Sequence, residues 1–275
     1  MKKHLCILLA LTLAILLSAC NLMPPAGSHT LNTARPTDLT PAPTAPSETT
    51  ASNPTEVPTQ PTEPPHSPLY LAHCTQVQMQ EYFNEVVLNM EYTDGTGNAS
   101  LVQKWLTPLY YQFYGNPTVE DRAVLTALFA QLNAIPGFPG IYPAENEGQE
   151  NLSLSFYDRA TFNDVFSSVI NGEDAYGATQ FWYYTATNDI YTARIGYRTD
   201  IDQVTRSSIL IEEIINTLGI SDTVLRQDSI VYQYSNDNLT LSDVDWVILK
   251  VLYDPAIQCG MNATDCARII QELYY

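Results

Sequence analysis

Glu212 and Asn216 stand four residues apart, Glu213 follows Glu212, and Asp222 lies six residues past Asn216. On a helix, residues four apart share a face. Gly219, between Asn216 and Asp222, is suited to end that helix in a left-handed cap and turn the chain back. Two carboxylates and an amide oxygen form a ligand set for Ca²⁺, Mg²⁺ or Mn²⁺ rather than Zn²⁺. A plainer reading makes Glu212, Glu213 and Asn216 the polar face of an amphipathic helix, and Asp222 an ordinary turn or cap residue.

The histidines narrow the chemistry. They are His4, His29, His66 and His73. Zinc hydrolases use imidazole ligands and an open coordination position. Serine and cysteine nucleophiles need a neighbouring histidine as base. Past residue 73 neither route is open, unless His73 itself folds back. No cofactor is expected.

The elements that must position these residues follow from periodicity. The helix bearing the motif is expected from about Gln203 to Leu218, with Val204, Ser208, Ile211, Ile215 and Leu218 as its buried stripe. Before it come two runs rich in aromatic and β-branched residues, Phe181 to Thr187 and Ile190 to Arg198. Asn188-Asp189 between them fits a tight hairpin. Trp182 and Tyr184 in the first run are candidate ligand contacts, or else part of a half-buried β surface. Leu109 to Tyr114 and Asn151 to Tyr157 read as further strands. Thr118 with Asp121 opens a helix with an apolar face of Val124, Leu125, Leu128, Leu132 and Ile135. Ser242 with Asp245, and Asn262 with Asp265, cap two later helices. Thr75 to about Val87 is mixed in character, with Met79, Tyr82, Phe83 and Val86 at helical spacing. Trp105, Trp182 and Trp246 are expected to be core or near-core anchors.

The first 68 residues have another character. Lys2-Lys3 precede an apolar run, Leu5 to Leu17, of signal-peptide length. Leu17-Ser18-Ala19-Cys20 then reads as a lipobox. Residues 1–19 are therefore expected to be a lipoprotein signal peptide, and Cys20 the site of lipidation. The protein would be tethered outside the cytoplasm, on the cell surface, by acyl chains. Residues 20–68 are rich in Pro, Thr, Ser and Ala, and are expected to be a structureless stalk. Residues 69–275 suffice for one domain with a substantial core.

The chain has 30 acidic and 12 basic residues, a net charge of −18. That argues against nucleic acid and against docking on anionic lipid by charge. Beyond Cys20 the cysteines are Cys74, Cys259 and Cys266. An extracytoplasmic setting permits disulfides, and Cys259 with Cys266 is the expected pair, with Cys74 to either as the rival.

The motif Glu-Glu-Ile-Ile-Asn-Thr-Leu-Gly-Ile-Ser-Asp is followed by Asp-Ser-Ile-Val-Tyr, Leu-Ser-Asp-Val-Asp, Leu-Tyr-Asp-Pro and Gly260-Met261. Together these resemble the domain-of-unknown-function family numbered twenty-nine twenty-seven, over roughly Glu91 to Met261. That family in turn looks like a degenerate metzincin. Glu212, Asn216 and Asp222 take the three histidine positions of H-E-x-x-H-x-x-G-x-x-H, and Glu213 takes that of the base. Ser229-Ile230-Val231-Tyr232 takes the place of the Ser-Ile-Met-Tyr turn, with Val231 for the methionine under the metal. The resemblance implies an α+β, zincin-like mixed sheet with a long motif-bearing helix and C-terminal helices. It also implies that protease chemistry is lost. The expectation is a non-catalytic binding or scaffolding module. Its edge strand 181–187 would pair with an extended peptide or envelope component, above an acidic cleft of Glu212, Glu213 and Asp222. A hydrolase with a non-zinc, oxygen-liganded metal and Glu213 as base is the alternative.

Overall fold

The computed structural model describes residues 26–31 (as backbone), 74–88, 101–170 and 174–275. The lipobox with Cys20, the signal segment, most of the stalk and His73 lie outside the described residues.

The fold is α+β. Its strands are β1 Ala26–Leu31, β2 Lys104–Trp105, β3 Leu109–Tyr114, β4 Ile141–Pro143, β5 Leu152–Tyr157, β6 Gly177–Tyr184 and β7 Asp189–Arg198. Its helices are α1 Gln76–Leu88, α2 Val119–Leu132, α3 Arg159–Val165, α4 Ser167–Ile170, α5 Gln203–Thr217, α6 Asp243–Leu252 and α7 Ala263–Tyr274. One mixed sheet runs β1-β6-β7-β5-β3-β4, with β2 beside β7. Strands β2, β3, β4, β5 and β7 pair in parallel; β6 runs antiparallel to β7, and β1 antiparallel to β6.

Alternation along the strands sorts side chains to two faces. Leu152, Leu154 and Phe156 of β5 and Ala193, Ile195 and Tyr197 of β7 point into the main core, which α1, α2, α5, α6 and α7 complete. The opposite face carries α3 and α4 on a smaller cluster of Phe162, Phe166, Val169, Ile170, Ala175 and Ala178. Phe166 comes so close to β7 that a Cβ on Gly196 would lie 2.3 Å from its ring. Glycine there lets the junction of α3 and α4 approach the sheet.

The helix ends confirm their sequence signals. Thr118 and Asp121 form a capping box on α2, Ser242 and Asp245 another on α6, and Asn262 caps α7. Asp202 caps α5 by accepting from the Thr205 amide. A buried ion pair, Arg206 Nε to Asp121 Oδ1 at 2.9 Å, ties the start of α5 to the start of α2. Gly219 ends α5 at φ 94°; a Cβ there would strike the Gln103 carbonyl at 2.1 Å.

Several expectations need correction. Strand β6 begins four residues before the expected run and stops at Tyr184. The turn is longer than Asn188-Asp189, and Asn188 takes the left-handed conformation, φ 60°. Val204 is exposed rather than part of the stripe. The mixed segment after Thr75 is helix through Leu88. Residues 26–31, read as stalk, form strand β1; their backbone groups bond to β6, which composition does not report. Cys259 and Cys266 are not bridged. Cys266 is buried in the first turns of α7, while the Cys259 thiol points to the Lys104 carbonyl at 3.6 Å. Of the tryptophans, Trp105 is core, its indole donating to the Thr217 carbonyl. Trp246 packs against the core, half-buried, and Trp182 lies outside it.

Candidate functional site

Glu212, Glu213, Asn216 and Asp222 are all buried, none more than 4 % exposed. They are not the solvated face of an amphipathic helix. α5 packs on β6 and β7 and against α2. The chain that follows Gly219 folds back onto it, through Asp222, Asn236 and Asn238. Their burial closes these side chains off from solvent.

The covering segment is strapped down by hydrogen bonds. Ser221 donates from both its amide and its hydroxyl to the Val86 carbonyl, at 2.6 and 2.9 Å. Glu85 of α1 accepts from Thr223 Oγ1 and from the Val224 amide, both at 2.7 Å. Further on, Ser208 Oγ donates to the Asn238 carbonyl at 2.7 Å. The Ser229–Tyr232 turn is held by Asp245, which accepts from Ser229 Oγ at 2.6 Å and the Ile230 amide at 3.0 Å. Tyr82 donates to Ser229 Oγ at 3.1 Å.

These straps bring Asp222 back to α5. Asn216 Nδ2 donates to Asp222 Oδ1 at 3.2 Å, and Asn236 Nδ2 donates to Glu212 Oε2 at 3.1 Å. Glu212, Asn216 and Asp222 thus converge as their spacing suggested. Glu213 points the other way, into the sheet, where Thr179 Oγ1 donates to its Oε2 at 2.7 Å. Gly177 leaves room for it; a Cβ there would come within 2.6 Å of Glu213 Oε1.

The electrostatics follow from burial without charge compensation. Burial pushes the Glu212 carboxyl well above the usual range, and the neighbouring Asp222 and Glu213 carboxylates push it further. Burial raises Asp222 to about 7, against the hydrogen bond from Asn216. Among the described residues, the Asp222 and Glu213 carboxylates and the Asn236 and Asn216 amides act on these two carboxyls. Burial of this kind favours the protonated form of both carboxyls, and at about 7 Asp222 is divided between its two forms at neutral pH. Asn216 Oδ1 is buried without a hydrogen-bond partner among the described residues. That oxygen is one donor short of satisfaction, which a protonated Asp222, a water or a cation could each supply.

As a metal centre the arrangement is limited. Among the described residues, no group of three or more His, Cys, Asp or Glu side chains is placed to hold an ion. The donors on offer are two carboxylates and the Asn216 amide. They are wrong for zinc and right in type for an oxygen-preferring cation.

Trp182 and Tyr184 do not join this cluster. Trp182 lies on the face of β6 opposite Thr179, with the Arg194 guanidinium 5.9 Å from its ring; the same guanidinium covers Phe166 at 4.9 Å. Gln180 accepts from Arg194 Nε at 3.0 Å. Tyr184 stacks on Tyr191 at 4.4 Å, near the hairpin end. The sheet separates Trp182 from Glu212.

Sequence reasoning missed Thr179, Gly177, Asn236 and Glu85. Each reaches the cluster or its straps from a distant part of the chain, 24 residues away for Asn236 and 34 for Thr179. No local pattern marks them.

The far edge of β6 is also occupied. β1 pairs with it antiparallel over six residues, from Ala26 opposite Tyr184 to Leu31 opposite Thr179.

A family model described as "Protein of unknown function (DUF2927)" matches residues 76–272. No curated protein matches the chain.

Proposed function

Because the chain belongs to the DUF2927 family, whose description carries no activity, we propose a function from the geometry: a binding module that takes an extended peptide along β6. The module is non-catalytic and zincin-like, and lipid on Cys20 anchors it at the cell surface. The observation that carries the reading is the β1–β6 pairing, since an edge that accepts one extended segment along six residues can accept another. The zincin-like reading is supported by the antiparallel strand β6 beside the parallel strands β7, β5, β3 and β4, packed against the motif-bearing helix. The return of Asp222 onto Asn216 and the Ser229–Tyr232 turn support it further. The loss of catalysis is supported by Glu213, which hydrogen-bonds into the sheet instead of facing Asp222.

Selection of a library of extended peptides on the purified chain, with binders mapped by amide shifts, tests this. Binders should perturb residues 179–184. Binders that map elsewhere would end the proposal. The anchor is tested separately, since Cys20→Ser should abolish fatty-acid labelling and release the protein from membranes.

A second reading rests on Asn216 Oδ1. With Glu212 and Asp222 it would bind Ca²⁺, Mg²⁺ or Mn²⁺, which a hydrolase could use. Calorimetric titration with Mn²⁺ decides it. One ion per chain, lost in Asp222→Asn, would favour this reading over the first.

A further inference from the structure

We propose that β1 is a resident, exchangeable ligand of the β6 edge, so that a partner peptide enters by displacing residues 26–31. The inference rests on the peptide-binding reading above and adds what already fills the site.

Three observations carry it. The family match spans residues 76–272, so β1 lies outside the family domain and β6 is that domain's own sheet edge. Residues 32–73 separate β1 from the rest of the fold, so β1 is tied to the sheet by strand pairing rather than by a short turn. Its sequence, Ala-Gly-Ser-His-Thr-Leu, is poor in β-branched and aromatic residues, with Gly27 inside the strand. Such a strand pairs weakly. It holds its place because it belongs to the same chain, so that its pairing is intramolecular.

The displacing partner is thereby defined. It runs antiparallel to β6 and parallel to β7. It spans at least the six positions opposite 179–184, and it is richer in β-branched residues than β1. An uncovered edge of this length would otherwise be a template for association with other chains. β1 guards it until the partner arrives.

The test uses the full chain carrying His29→Pro and Thr30→Pro. Adjacent residues of an edge strand donate to opposite sides, so one of the two prolines removes a donor facing β6. Gly27→Pro serves as an independent second variant. The probe is a labelled synthetic peptide of residues 24–33. Exchange of the 179–184 amides is followed residue by residue. In the parent, amides facing β1 and those facing β7 should both be protected. In the variants, the β1-facing set should exchange fast while the β7-facing set stays slow, which also shows that the domain is folded. The peptide should restore protection and bind the variants about tenfold or more tighter than the parent, as it would if β1 leaves a tenth or less of the parent competent. Equal protection in parent and variants, or equal peptide affinity, overturns the proposal. If that happens while library peptides still map to β6, the binding-module reading stands and only the resident ligand falls. If β1 protects β6 but library binders map elsewhere, the partner reading falls instead.

Discussion

Asp222→Asn removes one ionisable group from the buried cluster while keeping its shape. The Asp222 carboxyl rises from 3.8 to about 7 in the fold, by burial. The folded state then holds that proton more tightly than the unfolded chain. For a raised carboxyl the contribution is full below pH ~4 and is lost as pH climbs toward 7. At ~1.4 kcal/mol per pKa unit, the loss amounts to roughly 4 kcal/mol. The asparagine variant carries no charge at any pH, and its amide can donate to the unpartnered Asn216 Oδ1. Urea unfolding followed by tryptophan fluorescence, in EDTA at pH 4.5, 6 and 8, gives the difference between variant and parent. The other acids titrate in both chains and largely cancel, save Glu212, which the Asp222 carboxylate pushes up in the parent alone. The difference should favour the variant by ~1 kcal/mol at pH 4.5 and by ~4 kcal/mol at pH 8. A difference that stays flat across this range refutes the reasoning. It would mean that Asp222 is ionised inside the fold, which requires a compensating cation beside it.

Arg206→Met breaks the buried pair with Asp121 and should cost ~3–5 kcal/mol in chemical denaturation; a cost under ~1 kcal/mol would show the carboxylate satisfied by Gln203 and the Thr118 amide alone. Gly177→Ala sets a methyl against Ile209 and Glu213, at 2.5 and 2.6 Å before relaxation, and should destabilise the fold by ~1–3 kcal/mol; an unchanged unfolding midpoint would mean that Glu213 is free to move. Alkylation in denaturant without reductant, read by intact mass, should label both Cys259 and Cys266; their protection as a pair would restore the expected bridge.

Much of α5 was legible in the sequence. Its apolar period and the stop at Gly219 are local signals, and the structure keeps both but for the exposed Val204. The capping boxes at Thr118 and Ser242 were legible for the same reason: each is a bond between residues three apart. The hairpin was legible as two β-rich runs, but its turn and the true start of β6 were not. The shift at Trp182/Tyr183 and the pairing of Gly177 with Tyr197 depend on the neighbouring strand.

The candidate site divides along the same line. Spacing alone determined that Glu212 and Asn216 share a helix face and that Gly219 could return Asp222 toward them. Composition alone determined that no histidine follows residue 73. Only the tertiary structure decided that these residues are buried rather than solvated. It did so by folding residues 219–240 over α5 and bonding them to Glu85 and Val86 of α1. It also turned Glu213 away toward Thr179 and laid residues 26–31 on β6. The physical reason is range. Helix faces and caps form between residues a turn apart, so the sequence displays them directly. Burial, proton affinity and strand pairing depend on groups brought from distant parts of the chain, and those exist only once the chain has folded.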